Sequence, residues 1–309
     1  MSGLAAATAF TTALAGAGVV AAVVFRRVRT AAVTRFVAAR LPAPDASGIV
    51  AGAAPVVLAR DATRAVLVLH GFADTPQSVE GLARHLADVH GCTVHAPLLP
   101  GHGRTLAAFA ASRADDWVAC AHEAFDALAA THARVAVVGL SMGGALATLV
   151  AARAATRCAG LVLLAPYLTP TPTARRVART APLGQALVPW FAPNADPSQS
   201  IRDPEALAAN LGYGTASPAL VRELVAVADA AHAAAASVRV PVAIVHGRRD
   251  YRVPAALAAT HPALFAASPS VTLDWLDDTG HVLTADRQRA RVFARCGAFC
   301  DSVLGAASS

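Results

Sequence analysis

The sequence contains no lysine, few aromatic residues and few charges. Its 26 basic residues are all arginine, 5% of its residues are Phe, Trp or Tyr, and 15% are charged. The arginines are spread along the chain without a basic run interleaved with aromatic residues, which argues against nucleic-acid binding despite a net charge of +6. Because 55% of the residues are hydrophobic, disorder over most of the chain is also excluded.

Cysteine is scarce and arranged in no metal-binding or disulfide pattern. The five thiols are scattered, odd in number and without a CxxC pair: Cys92, Cys120, Cys158, Cys296 and Cys300. Neither a disulfide framework nor a zinc site is indicated. We therefore expect reduced thiols in a cytosolic environment and no bound metal.

The first 25 residues form an apolar segment. Gly3 to Phe25 is an uncharged run of 23 residues, which is long enough to cross a bilayer as a helix. A signal peptide would require basic residues before the run, and the sequence has none there. Five arginines follow the run instead: Arg26, Arg27, Arg29, Arg35 and Arg40. By the positive-inside rule, this pattern predicts a single-pass membrane anchor with the remainder of the chain in the cytoplasm. A soluble or peripheral helix is the alternative. Residues 26–54 are predicted to be a basic stretch and linker.

From residue 55 to 305, short apolar runs alternate with longer helical patterns. This alternation predicts an α/β fold with a mostly parallel sheet and helices on both faces. The predicted strands are Pro55–Ala59, Ala65–His70, Cys92–Ala96, Arg134–Gly139, Gly160–Ala165, Val240–His246 and Val271–Leu276. The predicted helices are Gln77–Val89, Asp115–Thr131, Met142–Ala155, Pro254–Ala266 and Ala285–Leu304.

One stretch interrupts this pattern. Residues 166–218 hold nine of the 19 prolines and contain no clean strand. A long proline-rich stretch inside a compact domain is more often a lid or binding element than a linker. We therefore predict an insertion over about residues 166–235, forming a cap of short helices.

Gly139-Leu140-Ser141-Met142-Gly143 lies between a buried strand and an Ala-rich helix. A tight strand-to-helix turn forces its central residue into a strained conformation and exposes the hydroxyl near a helix N-terminus. Ser141 is therefore a candidate nucleophile. A Gly-rich helix start with a capping serine is the structural alternative.

A nucleophilic serine needs a general base and a group that orients the base. Asp250 lies just beyond the strand that follows the predicted cap, and His281 lies beyond the next strand. The order Ser141, Asp250, His281 is the one expected of the α/β-hydrolase layout. Asp277 and Asp278 compete with Asp250 for the orienting role, although such residues more often solvate a turn.

A tetrahedral intermediate needs two N–H donors. The backbone amide of Met142 follows the nucleophile directly. The second donor is expected from the loop after the first long strand, where His70-Gly71-Phe72 stands, and we assign it to the Phe72 amide. His70 itself could be a base, but we expect it to hold this loop.

These motifs, together with four others, resemble those of the bacterial carboxylesterase and monoacylglycerol lipase group of α/β-hydrolases. The further matches are Thr75-Pro76, Pro100-Gly101-His102-Gly103, Asp116-Trp117 and Gly144. The resemblance covers about residues 55–305. It implies a cofactor-independent hydrolase of carboxylic esters in which a cap roofs the acyl pocket.

The expected partner is a small, lipid-like ester, with the membrane reached through the N-terminal segment and no nucleic acid. Acyl transfer, C–C hydrolysis and perhydrolysis would use the same serine, and fold alone does not separate them. A non-catalytic, membrane-tethered binding protein is a third possibility. That alternative predicts a disrupted set of catalytic residues, whereas all the parts are present in order.

Overall fold

Seven strands form a single sheet in the computed structural model. The structure describes residues 2–60, 63–154, 156–192 and 196–305, with the backbone alone for residues 2–17. The strand order is β1-β3-β2-β4-β5-β6-β7, in which β1 is antiparallel to β3 and every other pair is parallel. The strands are Val56–Leu58 (β1), Arg64–Leu69 (β2), Thr93–Ala96 (β3), Arg134–Leu140 (β4), Cys158–Leu164 (β5), Val242–Gly247 (β6) and Val271–Leu276 (β7).

The central strands are rich in valine and leucine because helices cover both faces of the sheet. Strands β2 and β5 are buried at every position, as expected of parallel strands packed on two sides. The helices are Ser2–Arg40 (α1), Gln77–Asp88 (α2), Leu106–Ala111 (α3), Ala114–Thr131 (α4), Met142–Arg153 (α5), Pro172–Leu187 (α6), Pro204–Ala209 (α7), Pro218–Ala235 (α8), Ala255–Ala258 (α9) and Arg289–Leu304 (α10).

The apolar core has two layers, one on each face of the sheet. Side chains of α1, α4, α5 and α8 pack into one layer, and side chains of α2 and α10 pack into the other. Trp117 and Phe125 of α4 are among the largest fully buried side chains. The predicted α/β-hydrolase fold, with a mostly parallel sheet and helices on both faces, is therefore confirmed.

The region after β6 differs from the predicted single helix over Pro254–Ala266. One helical turn, α9, is followed by a 3₁₀ turn over His261–Leu264. Pro262 cannot donate a backbone hydrogen bond, so a continuous α-helix is disfavoured at this point.

The N-terminal segment belongs to a helix that runs past the predicted boundary at residue 25. Helix α1 continues to Arg40, and Val33 and Val37 on its second half are buried in the core. Arg29 Nε donates to the carbonyl of Trp190 at 3.1 Å, so this half of the helix also contacts the region between β5 and β6. Residues 26–40, the first part of the predicted basic stretch and linker, are therefore helical.

The prediction of a single-pass membrane protein is wrong. Among the described residues, no helix combines the length and the apolar character that crossing a membrane requires. The physical reason is composition, because the run from Gly3 to Phe25 consists largely of Ala, Gly and Thr. These residues favour transfer into hydrocarbon much less than Leu or Ile.

Candidate active site

Three of the predicted site residues meet at the carboxyl ends of neighbouring parallel strands. Ser141 follows β4, Asp250 follows β6 and His281 follows β7. The carboxyl ends of parallel strands lie on one edge of a sheet, which is where open α/β sheets carry their sites. Residues 140 positions apart in sequence are therefore within hydrogen-bonding distance.

The backbone at Ser141 is strained. Its φ of 55° and ψ of −115° put a non-glycine residue in a region that L-amino acids rarely adopt. The turn is so tight that a Cβ on Gly139 would lie 2.1 Å from the carbonyl oxygen of Gly143. A Cβ on Gly143 would lie 2.1 Å from the carbonyl oxygen of Leu69. The flanking glycines are therefore a steric requirement of the turn that presents the hydroxyl.

A hydrogen-bonded relay connects the serine, the histidine and the aspartate. His281 Nε2 lies 2.7 Å from Ser141 Oγ, and His281 Nδ1 lies 2.7 Å from Asp250 Oδ2. Because a carboxylate can only accept, Nδ1 carries the imidazole hydrogen and Nε2 is left to accept from the serine hydroxyl. The hydroxyl of Ser141 therefore donates to His281 Nε2, and the other nitrogen of the ring donates to Asp250.

The loop that carries His281 is anchored by the segment between β5 and β6. The carbonyl oxygen of Ser200 accepts hydrogen bonds from the amides of His281, at 2.9 Å, and Val282, at 3.0 Å. The amide of Gly280 donates to Asp286 Oδ2 at 2.6 Å. These contacts hold the loop that places the imidazole next to Ser141.

Asp250 is buried and held by several donors. Its Oδ1 accepts from the amides of Arg252, at 2.8 Å, and Val253, at 3.0 Å. Burial raises the pKa of Asp250, but the charge and hydrogen bond of His281, with lesser help from His246 and Val253, keep it below the ordinary value for aspartate. The carboxylate is therefore ionised where it faces His281.

His246 is a neighbour of Asp250 that sequence reasoning missed. This fully buried side chain belongs to the next-to-last residue of β6, and its Nε2 lies 3.3 Å from Asp250 Oδ2 and 2.9 Å from the carbonyl oxygen of Val253. Burial lowers the pKa of His246. In the sequence, the only indication of this contact was the position of His246 four residues before Asp250.

The two carboxylates that compete with Asp250 for the orienting role form ion pairs with arginines instead. Asp278 forms ion pairs with Arg202 at 2.9 Å and Arg287 at 3.0 Å, and Asp277 pairs with Arg248 at 3.0 Å. The structure therefore brings Asp250, and neither of these two, to His281.

The two residues assigned as amide donors flank Ser141. Met142 is the first residue of α5, where a backbone N–H has no partner within the helix. Phe72 lines the cavity that contains Ser141, and a Cβ on the preceding Gly71 would lie 3.4 Å from the Ser141 Cβ. Among the hydrogen bonds of the described residues, neither amide has an acceptor.

His70 holds this loop rather than contacting the serine. Its Nδ1 donates to the carbonyl of Gly71 at 2.9 Å, and its Nε2 accepts from the amide of Leu99 at 3.1 Å. This pair of bonds uses both nitrogens of the neutral imidazole, and protonation would remove the acceptor. Burial accordingly lowers the pKa of His70 to about 4 and that of the adjacent His102 to about 3.

Because the pKa values of these two histidines are lowered in the folded protein, we expect acid to destabilise the fold. Between about pH 6.5, the ordinary histidine value, and pH 4, the unfolded chain binds a proton at residue 70 that the folded chain does not. Stability is then present above pH 6.5 and is lost as the pH falls towards 4, by about 3 kcal/mol for His70 alone. Urea unfolding at a series of pH values measures this slope. The slope should be shallower for His70→Gln, whose amide does not titrate, and an equal slope in both proteins would contradict the assignment.

A cavity of about 650 Å³ opens onto Ser141 and His281. Its walls come largely from the segment between β5 and β6 and are mostly apolar; they include Tyr167, Val177, Phe191, Ile201, Leu207, Val221 and Leu224. Within the described ranges, no group of three or more His, Cys, Asp or Glu side chains could hold a metal ion.

Comparison with known proteins places the chain in a family. The model of the family described as serine aminopeptidase, S33, matches residues 60–288. The chain belongs to this family. The match covers the strained serine turn and every residue of the relay, and the chain is thus an α/β-hydrolase of the serine hydrolase type, as the motifs indicated.

Relatives of this S33 family member include lipolytic enzymes. A thermostable monoacylglycerol lipase from Bacillus sp. (strain H-257) is 38% identical over 98 residues, which cover 32% of this chain and 38% of that protein. A solved structure of LipS and LipT, two metagenome-derived lipolytic enzymes, is 28% identical in sequence to this chain. The match has a TM-score of 0.68 and covers 82% of this chain and 99% of that one. The monoacylglycerol lipase of Paleococcus ferrophilus, at 17% identity and a TM-score of 0.68 over 80% of this chain and 98% of that one, shares the fold.

Proposed function

We propose that this protein hydrolyses carboxylic esters through an acyl-enzyme formed on Ser141. The observation that carries the proposal is the relay from Asp250 through His281 to Ser141, with both hydrogen bonds at 2.7 Å, opening onto a largely apolar cavity. Membership of a serine hydrolase family and the similarity to lipolytic enzymes support it.

Each residue of the relay has a defined role in this reaction. Ser141 Oγ attacks the ester carbonyl while His281 Nε2 takes its proton. As the tetrahedral intermediate collapses, the same nitrogen returns that proton to the departing alcohol, and the acyl group remains on Ser141. Water then attacks the acyl-enzyme, with His281 again acting as base, and releases the acid. Asp250 keeps the hydrogen on Nδ1 and stabilises the imidazolium that forms in both steps.

The developing oxyanion would be stabilised by the amides of Phe72 and Met142. Two backbone N–H groups that have no other acceptor among the described residues are the donors that such an intermediate requires. Met142 also lies at the N-terminus of the 12-residue helix α5, whose dipole favours negative charge. Because both donors are backbone amides, stabilisation of the oxyanion would depend on the geometry of the loop that His70 holds.

Residues 166–235 would act as a cap over a domain spanning residues 55–305. They include α6, α7 and α8, and they provide most of the apolar wall of the cavity. An apolar cavity next to the serine suits a lipid-like acyl chain, and the relatives named as monoacylglycerol lipases support substrates of this class.

A fluorophosphonate probe tests the proposed nucleophile directly. We expect labelling of the native protein, with the modification located on Ser141 by peptide mass spectrometry. Heat-denatured protein is the control, since it keeps the hydroxyl but not the relay. Absence of labelling in the folded protein would contradict the proposal and would favour a binding protein without catalysis.

Substrate comparison then separates ester hydrolysis from its alternatives. Because the family is named for aminopeptidases, 4-nitrophenyl butyrate should be compared with amino-acid 4-nitroanilides. We expect the ester to be cleaved and the anilides to be poor substrates. Product analysis in the presence of added alcohol distinguishes hydrolysis from acyl transfer.

A further inference from the structure

Among the described residues, two arginine side chains and one carboxyl group line the cavity at Ser141. Arg40 and Arg252 contribute the guanidinium groups, and Asp74 contributes the carboxyl. Arg40 comes from the C-terminal end of α1, more than 100 residues before Ser141. This helix therefore contributes to the cavity wall although it lies outside the segments that carry the catalytic motifs.

The guanidinium of Arg40 has no carboxylate partner in the part of the chain that the structure describes. Its Nη2 lies 3.5 Å from the carbonyl oxygen of Asn210, which is a long contact, and its Cζ lies 5.6 Å from the centre of the Phe36 ring. Burial is what lowers the pKa of Arg40 from its ordinary value. Burying a cation without a counter-ion is costly, and buried charges are normally paired.

The backbone around Arg40 leaves space for this guanidinium. Gly214, another residue of the cavity wall, has a φ of +68°, and a Cβ there would lie 2.8 Å from Arg40 Nη1. Arg252 is similarly free of carboxylate partners among the described residues. Its Nε lies 3.5 Å from Ser200 Oγ and its Cζ lies 4.8 Å from the centre of the Tyr251 ring.

Asp74 does not neutralise these two cations. Its Oδ1 accepts from the amide of Thr75 at 2.9 Å and from Asn210 Nδ2 at 3.4 Å, so the carboxyl group is already engaged. Burial raises the pKa of Asp74, which favours its neutral form. With Asp74 neutral or ionised, the cavity keeps an excess of positive charge.

We propose that this site prefers ester substrates that carry a carboxylate or phosphate group, and that Arg40 binds this group while the ester lies at Ser141. The inference rests on the proposed ester hydrolase function. The apolar wall would accept the hydrocarbon part of such a substrate, and the guanidinium fork would accept the anion, which it can contact through two N–H groups. Arg40 would then be a specificity-determining residue.

Two pairs of substrates test the preference and locate the anion. On the acyl side, mono-4-nitrophenyl adipate is compared with the 4-nitrophenyl ester of monomethyl adipate. On the alcohol side, 1-hexanoylglycerol 3-phosphate is compared with 1-hexanoylglycerol, below the concentrations at which they aggregate. We expect kcat/KM to favour the anionic member of at least one pair by about tenfold or more, as hydrogen bonds to charged groups typically provide.

Variants of α1 assign the preference to Arg40. Arg40→Met should lower the anionic-to-neutral ratio by about tenfold or more, while Arg40→Lys, which keeps the charge but not the fork, should retain part of it. Arg35→Met is the matched control, because it removes the same charge from an exposed position on the same helix. Its ratio should equal that of the parent protein.

The possible outcomes separate this inference from the proposed function. A parent protein that hydrolyses the neutral esters but prefers neither anion would overturn the inference and leave the hydrolase assignment intact. An unchanged ratio in Arg40→Met, or an equal loss in Arg35→Met, would also overturn it. Failure to hydrolyse any of the four substrates would overturn both.

Discussion

Replacing Ser141 with alanine is expected to lower the rate of ester hydrolysis by roughly 10⁴- to 10⁶-fold, because the acyl-enzyme can no longer form. The hydroxyl is the group that His281 Nε2 contacts at 2.7 Å. Initial rates with 4-nitrophenyl butyrate measure the effect. Alanine has a Cβ like serine, so the strained turn should persist.

The control for Ser141→Ala is a measurement that shows the variant to be folded. Its unfolding midpoint in urea should be close to that of the parent protein, which shows that the lost rate reflects chemistry. Residual hydrolysis within tenfold of the parent rate, at an equal level of purity, would contradict the assignment of Ser141 as nucleophile.

Replacing Asp250 with asparagine is expected to lower turnover by roughly 10³- to 10⁴-fold. An asparagine side chain fits the same space, but its amide can present a donor where His281 Nδ1–H requires an acceptor. The imidazole then favours the tautomer with hydrogen on Nε2, which cannot accept the proton of Ser141. The measured quantity is kcat for the same ester.

Asp278→Asn is the matched control for Asp250→Asn. Asp278 lies in the loop that leads to His281, but its ion pairs with Arg202 and Arg287 are half-exposed and involve none of the relay residues. Exposed ion pairs contribute little to stability, so we expect turnover to change less than about threefold. A larger loss from Asp278→Asn than from Asp250→Asn would reverse the assignment of the orienting carboxylate.

The positions of Ser141, Asp250 and His281 could be predicted because each depends on a local pattern. A buried run followed by a turn residue predicts where a strand ends, and parallel strands end on the same edge of the sheet. Chain order then distinguishes the arrangement from those of other serine hydrolases. The sequence supported Asp250 less strongly than Ser141 and His281, because Asp278 also follows a strand. The three-dimensional path of the loop decides which carboxylate reaches His281.

The N-terminal segment shows the limit of local reasoning. Length and flanking arginines predicted an anchor, but composition makes the helix insufficiently apolar, and the membrane assignment was wrong. The sequence also gave no reason to place residues 26–40 against the core. The buried positions Val33 and Val37 are four residues apart, which is one helical turn, and two such positions in a stretch with five arginines are too few to predict a buried helix face.

The sequence by itself determined the fold class, the strained serine turn and the order of the candidate catalytic residues, because short-range periodicity and turn chemistry specify these features. Only the tertiary structure decided which distant side chains line the cavity. Arg40 and Asp74 join Ser141 in the cavity wall through contacts between segments far apart in the chain. Contacts of this kind depend on how helices and loops pack around the sheet, which no local pattern encodes.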